Sequence, residues 1–351
     1  MLFGRAMSES DQRVRIGAAL LWITSLTVLC GAGACSRFVD SSLPAALLSA
    51  VAAVAAVPLL LYWPGRIVLD LLGMGAHSGA AWRVLISAAL SLGACPLLLE
   101  GLWRLPHRHW VVLLGWWAVL CGLNVVSRLR RTGESTGPPP PALFEKRGTK
   151  AFACVLGLWL AGCMVLTYWP SQRDGCPVAA IPHDYVKHHA ILFSLEHQGL
   201  PLGNVFCADV AQQPYGYYHY FYLLPATLRL WSGDRIGIGL AFGLFGAAVA
   251  LTVVGLIYLL AKRLSGGEGP AMLAASAASL VGGLDVIPLA LQGRMVVTLD
   301  AWADQSFRIH NFYTQMLWCP QHVHGLTVLL LAVVLLSMAP GPGGGSCSAP
   351  S

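Results

Sequence analysis

Charged side chains are scarce in this chain. Of its 351 residues, 22 are basic and 16 acidic, so 11% carry charge, against about a quarter in a soluble globular domain. A chain this poor in charge cannot cover a water-facing surface, which excludes a soluble enzyme. Since 56% of the residues are apolar, intrinsic disorder is excluded as well. The formal charge of +6 is spread over the flanks of apolar segments, which argues against a nucleic-acid-binding module.

The common motifs of soluble catalysis are also absent. The sequence holds no Walker loop, no G-x-S-x-G elbow, no H-E-x-x-H pair, no dinucleotide fingerprint and no C-x-x-C metal site. The sequence therefore lacks the usual signatures of ATP-driven transport, serine hydrolysis and zinc proteolysis. The remaining class is an all-α, polytopic membrane protein. Clues to its function are polar residues in or near the membrane, where burying a polar group costs free energy.

Long apolar segments are abundant. A bilayer core needs about 20 apolar residues in a helix, and eight stretches meet that need: 16–35, 43–63, 81–103, 109–127, 151–169, 236–261, 270–291 and 321–338. A ninth stretch, 215–231, is short, rich in tyrosine and close to two prolines. Because such aromatic residues prefer the membrane interface, we expect this stretch to form an extracytoplasmic juxtamembrane helix.

Basic residues predict the orientation. Three arginines before residue 16 and six basic residues in 128–150 place both segments in the cytoplasm by the positive-inside rule. Four spans lie between them, which agrees. Lys262 and Arg263 fall on the same side only if 215–231 does not cross. The sequence thus predicts a multi-pass protein with a cytoplasmic N-terminus.

The predicted organisation has four parts. We expect a four-helix membrane block (1–127), a basic Pro-rich cytoplasmic linker (128–150), a membrane core (151–338) with extracytoplasmic loops at 170–235 and 292–320, and a low-complexity tail (339–351). The tail is uncharged and rich in Gly and Pro, and the sequence ends there abruptly. We therefore expect that the chain is a fragment of a longer protein.

Histidine is concentrated in the second half, where eight of 11 histidines follow residue 170. Asp184 and His188 lie four apart in a segment that Pro182 opens and Gly199 ends, which predicts a helix with both side chains on one face. A carboxylate and an imidazole together form an acid–base couple or two ligands of a divalent metal ion. The alternative is that Asp184 merely caps the helix.

Asp285 is the second candidate acid. It lies near the outer end of the predicted span 270–291, where an ionised carboxylate is costly and marks a functional candidate. The alternative is a snorkelling acid paired with Arg294. Interfacial packing with aromatic residues is likewise the alternative role for the histidines as a group.

A third cluster begins the last span. His322 lies beside Trp318 and Pro320 at the mouth of a helix whose N-terminus faces outward. A helix N-terminus and a protonated imidazole both favour an anion such as phosphate, and Arg294 and Arg308 add cations on this side. Two other readings remain open: a polar helix turn without a ligand, and arginines that contact lipid headgroups.

The layout of the second half is similar to a known enzyme class. A basic flank and one span are followed by Asp184, a helix to Gly199-Leu-Pro201, an aromatic segment ending at Trp231-Ser-Gly233, and a span closing at Lys262-Arg263. Over about 150–338, this arrangement resembles the N-terminal core of the GT-C membrane glycosyltransferases, among them protein O-mannosyltransferases, aminoarabinose transferases and uncharacterised bacterial relatives.

The resemblance implies a lipid-linked sugar donor, a polyprenyl phosphate, and an active site at the outer leaflet of a bacterial inner membrane. Asp184 would act as general base or metal ligand, with His188 beside it, and Asp285 would match the second acid. His322, Arg294 and Arg308 would hold the donor phosphate. The acceptor is open. A transporter or lipid flippase predicts polar residues at mid-membrane and broken helices; a non-catalytic membrane protein predicts that these residues do not converge.

Overall fold

The computed structural model describes 55–72, 80–106, 108–130, 182–204, 218–234, 236–280 and 320–338, with shorter pieces at 149–151, 153–158, 171–173 and 176–178 and the single residues Val51, Met74 and Arg147. Apart from turns and one short hairpin, these residues are helical, which confirms the helical class. The hairpin was not predicted. The span 16–35, most of 151–169, and about half of 43–63 and of 270–291 lie outside the described part, as does the tail.

The helices follow in chain order. A helical segment over 55–61 precedes α1 (Trp63–Leu71), α2 (Ala80–Trp103) and α3 (Arg108–Arg130). After helical pieces over 149–151 and 153–158 come β1 (Ser171–Arg173) and β2 (Cys176–Val178), which pair antiparallel. Then follow α4 (Pro182–Gln198), α5 (Tyr220–Trp231), α6 (Ile238–Ser265), α7 (Glu268–Leu280) and α8 (Pro320–Met338).

Three of the described helices are long and apolar enough to cross a membrane, as judged from length and composition: Ala81–Trp103, Ile238–Ser265 and Pro320–Ser337. They coincide with three predicted spans. Large apolar side chains such as Leu97 and Leu329 remain exposed on them, as a lipid-facing surface requires. Helix α5 is too short for a span, in agreement with the expectation for 215–231.

At two of the prolines that interrupt the helical hydrogen-bond ladder, Pro64 and Pro96, a neighbouring helix supplies the missing donor. Pro64 has no N–H for the carbonyl of Leu60 four residues earlier, and the Cys95 thiol of α2 lies 3.1 Å from that oxygen. The backbone N–H of Gly65 donates to Ser91 Oγ at 2.8 Å. The contacts couple α1 tightly to α2, because a Cβ at position 65 would lie 1.9 Å from the Ser87 carbonyl oxygen.

Two sets of contacts define the ends of the bundle. At one end, which we call the His322 end, Tyr218 contacts His322, and His219 lies 3.8 Å from Glu100. Arg229 reaches the Ile236 carbonyl at the start of α6. Both ends of α5 therefore contact residues at this one end, and α5 does not run through the bundle.

At the other end, which we call the Lys262 end, Thr149 donates to Glu268 at 2.7 Å, and Lys262 lies 3.5 Å from the same carboxylate. Arg263 donates to the carbonyl of Ser337 near the end of α8. Thr149, near the end of the basic linker, thus shares the Glu268 carboxylate with Lys262, so the linker end and Lys262 lie at one end of the bundle, in agreement with the charge-based topology. Gly266 ends α6 in the left-handed conformation with φ 69°, which glycine adopts without strain.

Candidate functional site

A groove of about 470 Å³ opens at the His322 end between α2, the start of α5 and the first turns of α8. Its walls are mostly apolar and aromatic, and its polar groups come from the N-terminus of α8. The lining residues are Gly93, Pro96, Leu97, Tyr218, Tyr220, Phe221, Gln321, His322, His324, Gly325 and Val328. A concave apolar site with a few polar groups is the usual form of a ligand pocket.

Proline chemistry shapes the floor of this groove. Pro96 cannot donate to the carbonyl of Leu92, one turn earlier in α2. His324 of α8 fills the gap, with Nε2 2.7 Å from the Leu92 oxygen. Because a carbonyl only accepts, Nε2 must carry the proton of the ring. His324 is therefore a packing group between α2 and α8, which leaves the neighbouring Gln321 and His322 as the polar groups of the groove.

Gln321 is the least satisfied polar side chain of the groove. Only 7% of it is exposed, and neither Nε2 nor Oε1 of its amide has a hydrogen-bond partner among the residues that the structure describes. Leaving a buried polar group unpaired costs about 1–3 kcal/mol. The amide belongs to the first turn of α8, where the helix also leaves backbone N–H groups without partners inside the helix.

His322 lies at the rim of the groove, as the sequence predicts for a residue at the mouth of the last span. It is exposed, and its Nε2 lies 3.0 Å from the Tyr218 hydroxyl. The two rings also contact each other, with centroids 5.2 Å apart. The contact joins the chain before α5 to the start of α8. It leaves the imidazole open to a ligand at the helix N-terminus.

A charged cluster borders the groove on the α2 side. The Glu100 carboxylate accepts a hydrogen bond from Arg104 at 2.5 Å, and Tyr220 hydrogen-bonds to the same carboxylate, which raises the pKa of the Tyr220 hydroxyl. His219 lies near the same group. None of these residues was predicted as a site residue. The signal available in the sequence was Glu100, an acid within the predicted span 81–103.

His188 occupies a packed environment. The structure confirms the helix from Pro182 to Gln198, with Gly199 following at φ 78°. His188 is buried, its Nδ1 lies 2.6 Å from the Tyr222 hydroxyl, and its ring stacks on Phe242 at 4.6 Å. Phe242 in turn packs on Phe221 of the groove wall. His188 and His322 therefore lie at the same end of the bundle but on opposite sides of two phenylalanines.

A buried ion pair fixes α4 against α5. Arg229 donates to both carboxylate oxygens of Glu196, with Nη2 3.1 Å from Oε2. Burial raises the pKa of Glu196, and the Arg229 charge opposes that change. Burial, together with the neighbouring His188 and Arg229, lowers the pKa of His189 to about 4. The buried ion pair between Glu196 and Arg229 thus holds α4 against α5 behind the groove.

The other predicted site residues are less fully described. The backbone of Asp184 lies in the first turn of α4, one turn before His188, and its side chain is outside the described part. Asp285, Arg294 and Arg308 lie outside the described residues altogether. Their roles stay predictions.

Metal binding was left open for Asp184 and His188. Among the described residues, no group of three or more His, Cys, Asp or Glu side chains gathers as a metal site would. His188 already directs Nδ1 at Tyr222. Because the Asp184 side chain is outside the described part, a metal ion held by Asp184 and His188 stays a prediction, and no step proposed below uses one.

Comparisons with known proteins return no match. No family model, no curated protein and no solved structure matches the chain.

Proposed function

We propose that the chain is a membrane glycosyltransferase of the GT-C type, or a part of one, which uses a polyprenyl-phosphate-linked sugar at the extracytoplasmic leaflet of a bacterial inner membrane. The observation that carries the proposal is the groove at the N-terminus of α8. It combines apolar walls, two tyrosines and the exposed imidazole of His322. A lipid phosphate bearing a sugar needs each of these: apolar surface, aromatic faces and an anion site.

The proposed reaction is a displacement at the anomeric carbon. A hydroxyl of the acceptor attacks this carbon, the new glycosidic bond forms, and the bond to the phosphate oxygen breaks. Asp184 takes the proton of the hydroxyl. We assign the stabilisation of the departing phosphate to His322 and Arg294, whose positive charge would oppose the negative charge that grows there. His188 and Asp285 support the acid, and Arg308 supports the phosphate.

The bundle offers less support to a transporter. Such proteins have interrupted helices whose freed backbone groups coordinate substrate or ions. Here the carbonyls freed by Pro64 and Pro96 are bound by Cys95 and His324. These two interruptions are thus closed by protein donors. A flippase without transferase activity remains an outcome of the experiment.

The experiment measures sugar transfer from a polyprenyl phosphate donor in membranes that contain the chain. We expect Asp184→Asn to lower the transfer rate about 10²–10⁴-fold, the range of a lost general base. Asp234→Asn is the matched control, because Asp234 is an exposed acid of the same region in a left-handed turn, φ 63°, that asparagine also accepts. Equal transfer by both variants would remove Asp184 as the base, and lipid flipping without transfer would identify a flippase.

A further inference from the structure

The unpaired amide of Gln321 indicates which part of a lipid-linked sugar the groove holds. Gln321 lines the groove, and more than nine-tenths of its side chain is buried. Neither Nε2 nor Oε1 has a partner among the residues that the structure describes. Nε2 only donates hydrogen bonds and Oε1 only accepts them. A ligand therefore satisfies both atoms only if it offers an acceptor and a donor side by side.

Two of the three parts of the proposed donor lipid do not meet this requirement. The oxygens of an ionised phosphodiester only accept hydrogen bonds, so a phosphate beside the amide would leave Oε1 unpaired and bring negative charge close to it. A prenyl chain offers neither a donor nor an acceptor. The sugar is the part that carries hydroxyls, and each hydroxyl both donates and accepts.

Two hydroxyls on neighbouring carbons of a pyranose ring match the amide, because one accepts from Nε2 while the other donates to Oε1. Tyr218 and Tyr220 also line the groove and offer aromatic surface to the apolar face of the ring. His322 follows Gln321 in the first turn of α8 but is exposed at the rim. We propose that the Gln321 amide binds an adjacent pair of hydroxyls on the donor sugar, with the sugar in the groove and its phosphate at the rim; this rests on the proposed function.

The test is equilibrium binding to the purified full chain in detergent. The probes are a short-chain prenyl phosphate that carries glucose and its 2-, 3- and 4-deoxy analogues. The bound pair is either the 2,3 or the 3,4 pair of hydroxyls, so the 3-deoxy analogue and one of the other two should bind more weakly. We expect each loss to be about fivefold or more, because the analogue leaves one atom of the buried amide unpaired.

A variant of Gln321 shows whether its amide causes these losses. Gln321→Met keeps the length of the side chain without the amide, and should bind the glucose lipid and all three analogues equally. Gln198→Met, at an exposed position of α4, is the matched control and should keep both losses. The series on the unaltered chain decides even if Gln321→Met does not fold.

Three results would contradict the inference while leaving the proposed function in place. They are full affinity of the 3-deoxy analogue, full affinity of both the 2- and the 4-deoxy analogues, and losses that persist in Gln321→Met. Binding of none of the lipids would overturn the inference together with the proposed function.

Discussion

Single residues in this bundle compensate for one another across helix boundaries. The proline at position 96 deprives the Leu92 carbonyl of its helical donor, and His324 supplies a replacement from α8. In a membrane, water cannot serve the freed carbonyl, so a neighbouring side chain has to. The energetic value of His324 therefore depends on which residue stands at position 96.

A double-mutant cycle tests this dependence. His324→Ala should lower the free energy of unfolding by about 1–3 kcal/mol, because it leaves a buried carbonyl unpaired. In a Pro96→Ala background, the new backbone N–H can donate to the Leu92 carbonyl. His324→Ala should then lower the free energy of unfolding by clearly less. Unfolding in detergent measures all four variants.

The exposed histidine two positions earlier serves as the control. His322→Ala removes a rim contact with Tyr218 and should cost the same in both backgrounds. Additive effects of the changes at positions 96 and 324 would contradict the proposed exchange of donors.

At the scale of elements, the ion pair between α4 and α5 positions the layer that carries His188. Arg229 is buried, donates to Glu196, and also reaches the Ile236 carbonyl ahead of α6. One guanidinium thus connects three helices. Its charge is tolerable there only because each of its partners accepts a hydrogen bond.

Removal of one partner should be much more costly than loss of a surface pair. Glu196→Ala leaves the Arg229 charge buried without its carboxylate, and we expect it to lower the free energy of unfolding by about 3–5 kcal/mol. Arg104→Ala breaks an ion pair with Glu100 in which the arginine side chain is 53% exposed, and should cost less than about 1 kcal/mol.

Replacing both Glu196 and Arg229 by Leu should restore part of the stability lost in Glu196→Ala, since no buried charge is then left unpaired. A double variant as unstable as the single one would show that the ion pair holds the helices by other means.

At the scale of the whole molecule, the two ends carry different chemistry. Polar contacts at the Lys262 end join Thr149, Glu268 and Ser337 to the end of α6. The groove and the packed rings of His188, Phe221 and Phe242 lie at the His322 end. The separation agrees with a topology in which basic segments face the cytoplasm and the site faces outward.

Cysteine labelling tests that topology. In a background without native cysteines, Tyr218→Cys should react with an impermeant thiol reagent in intact cells, because position 218 is exposed at the predicted outer face. Arg263→Cys should react only after the membrane is opened. If only position 263 were labelled from outside, the orientation of the protein in the membrane would be the reverse of the predicted one. If both positions were labelled from the same side, α5 would cross the membrane.

The sequence predicts the parts of this fold that depend on composition and local signals. The spans 81–103 and 321–338, the helix that Gly199 ends and the short aromatic helix α5 follow from apolar length, proline and glycine placement. The groove does not follow, because it depends on contacts between three elements, α2, α5 and α8, that are far apart in the chain. Gln321 is visible in the sequence as one polar residue among several, and only its burial without a partner distinguishes it.

The coupling between Pro96 and His324 also restricts the routes by which the chain can evolve. If alanine replaces the proline first, the carbonyl of Leu92 gains a backbone donor and position 324 becomes free to vary. If the histidine is lost first, every intermediate sequence carries an orphaned carbonyl inside the bundle. A single oxygen atom thus sets the order in which two substitutions, 228 positions apart in the chain, can accumulate without loss of stability.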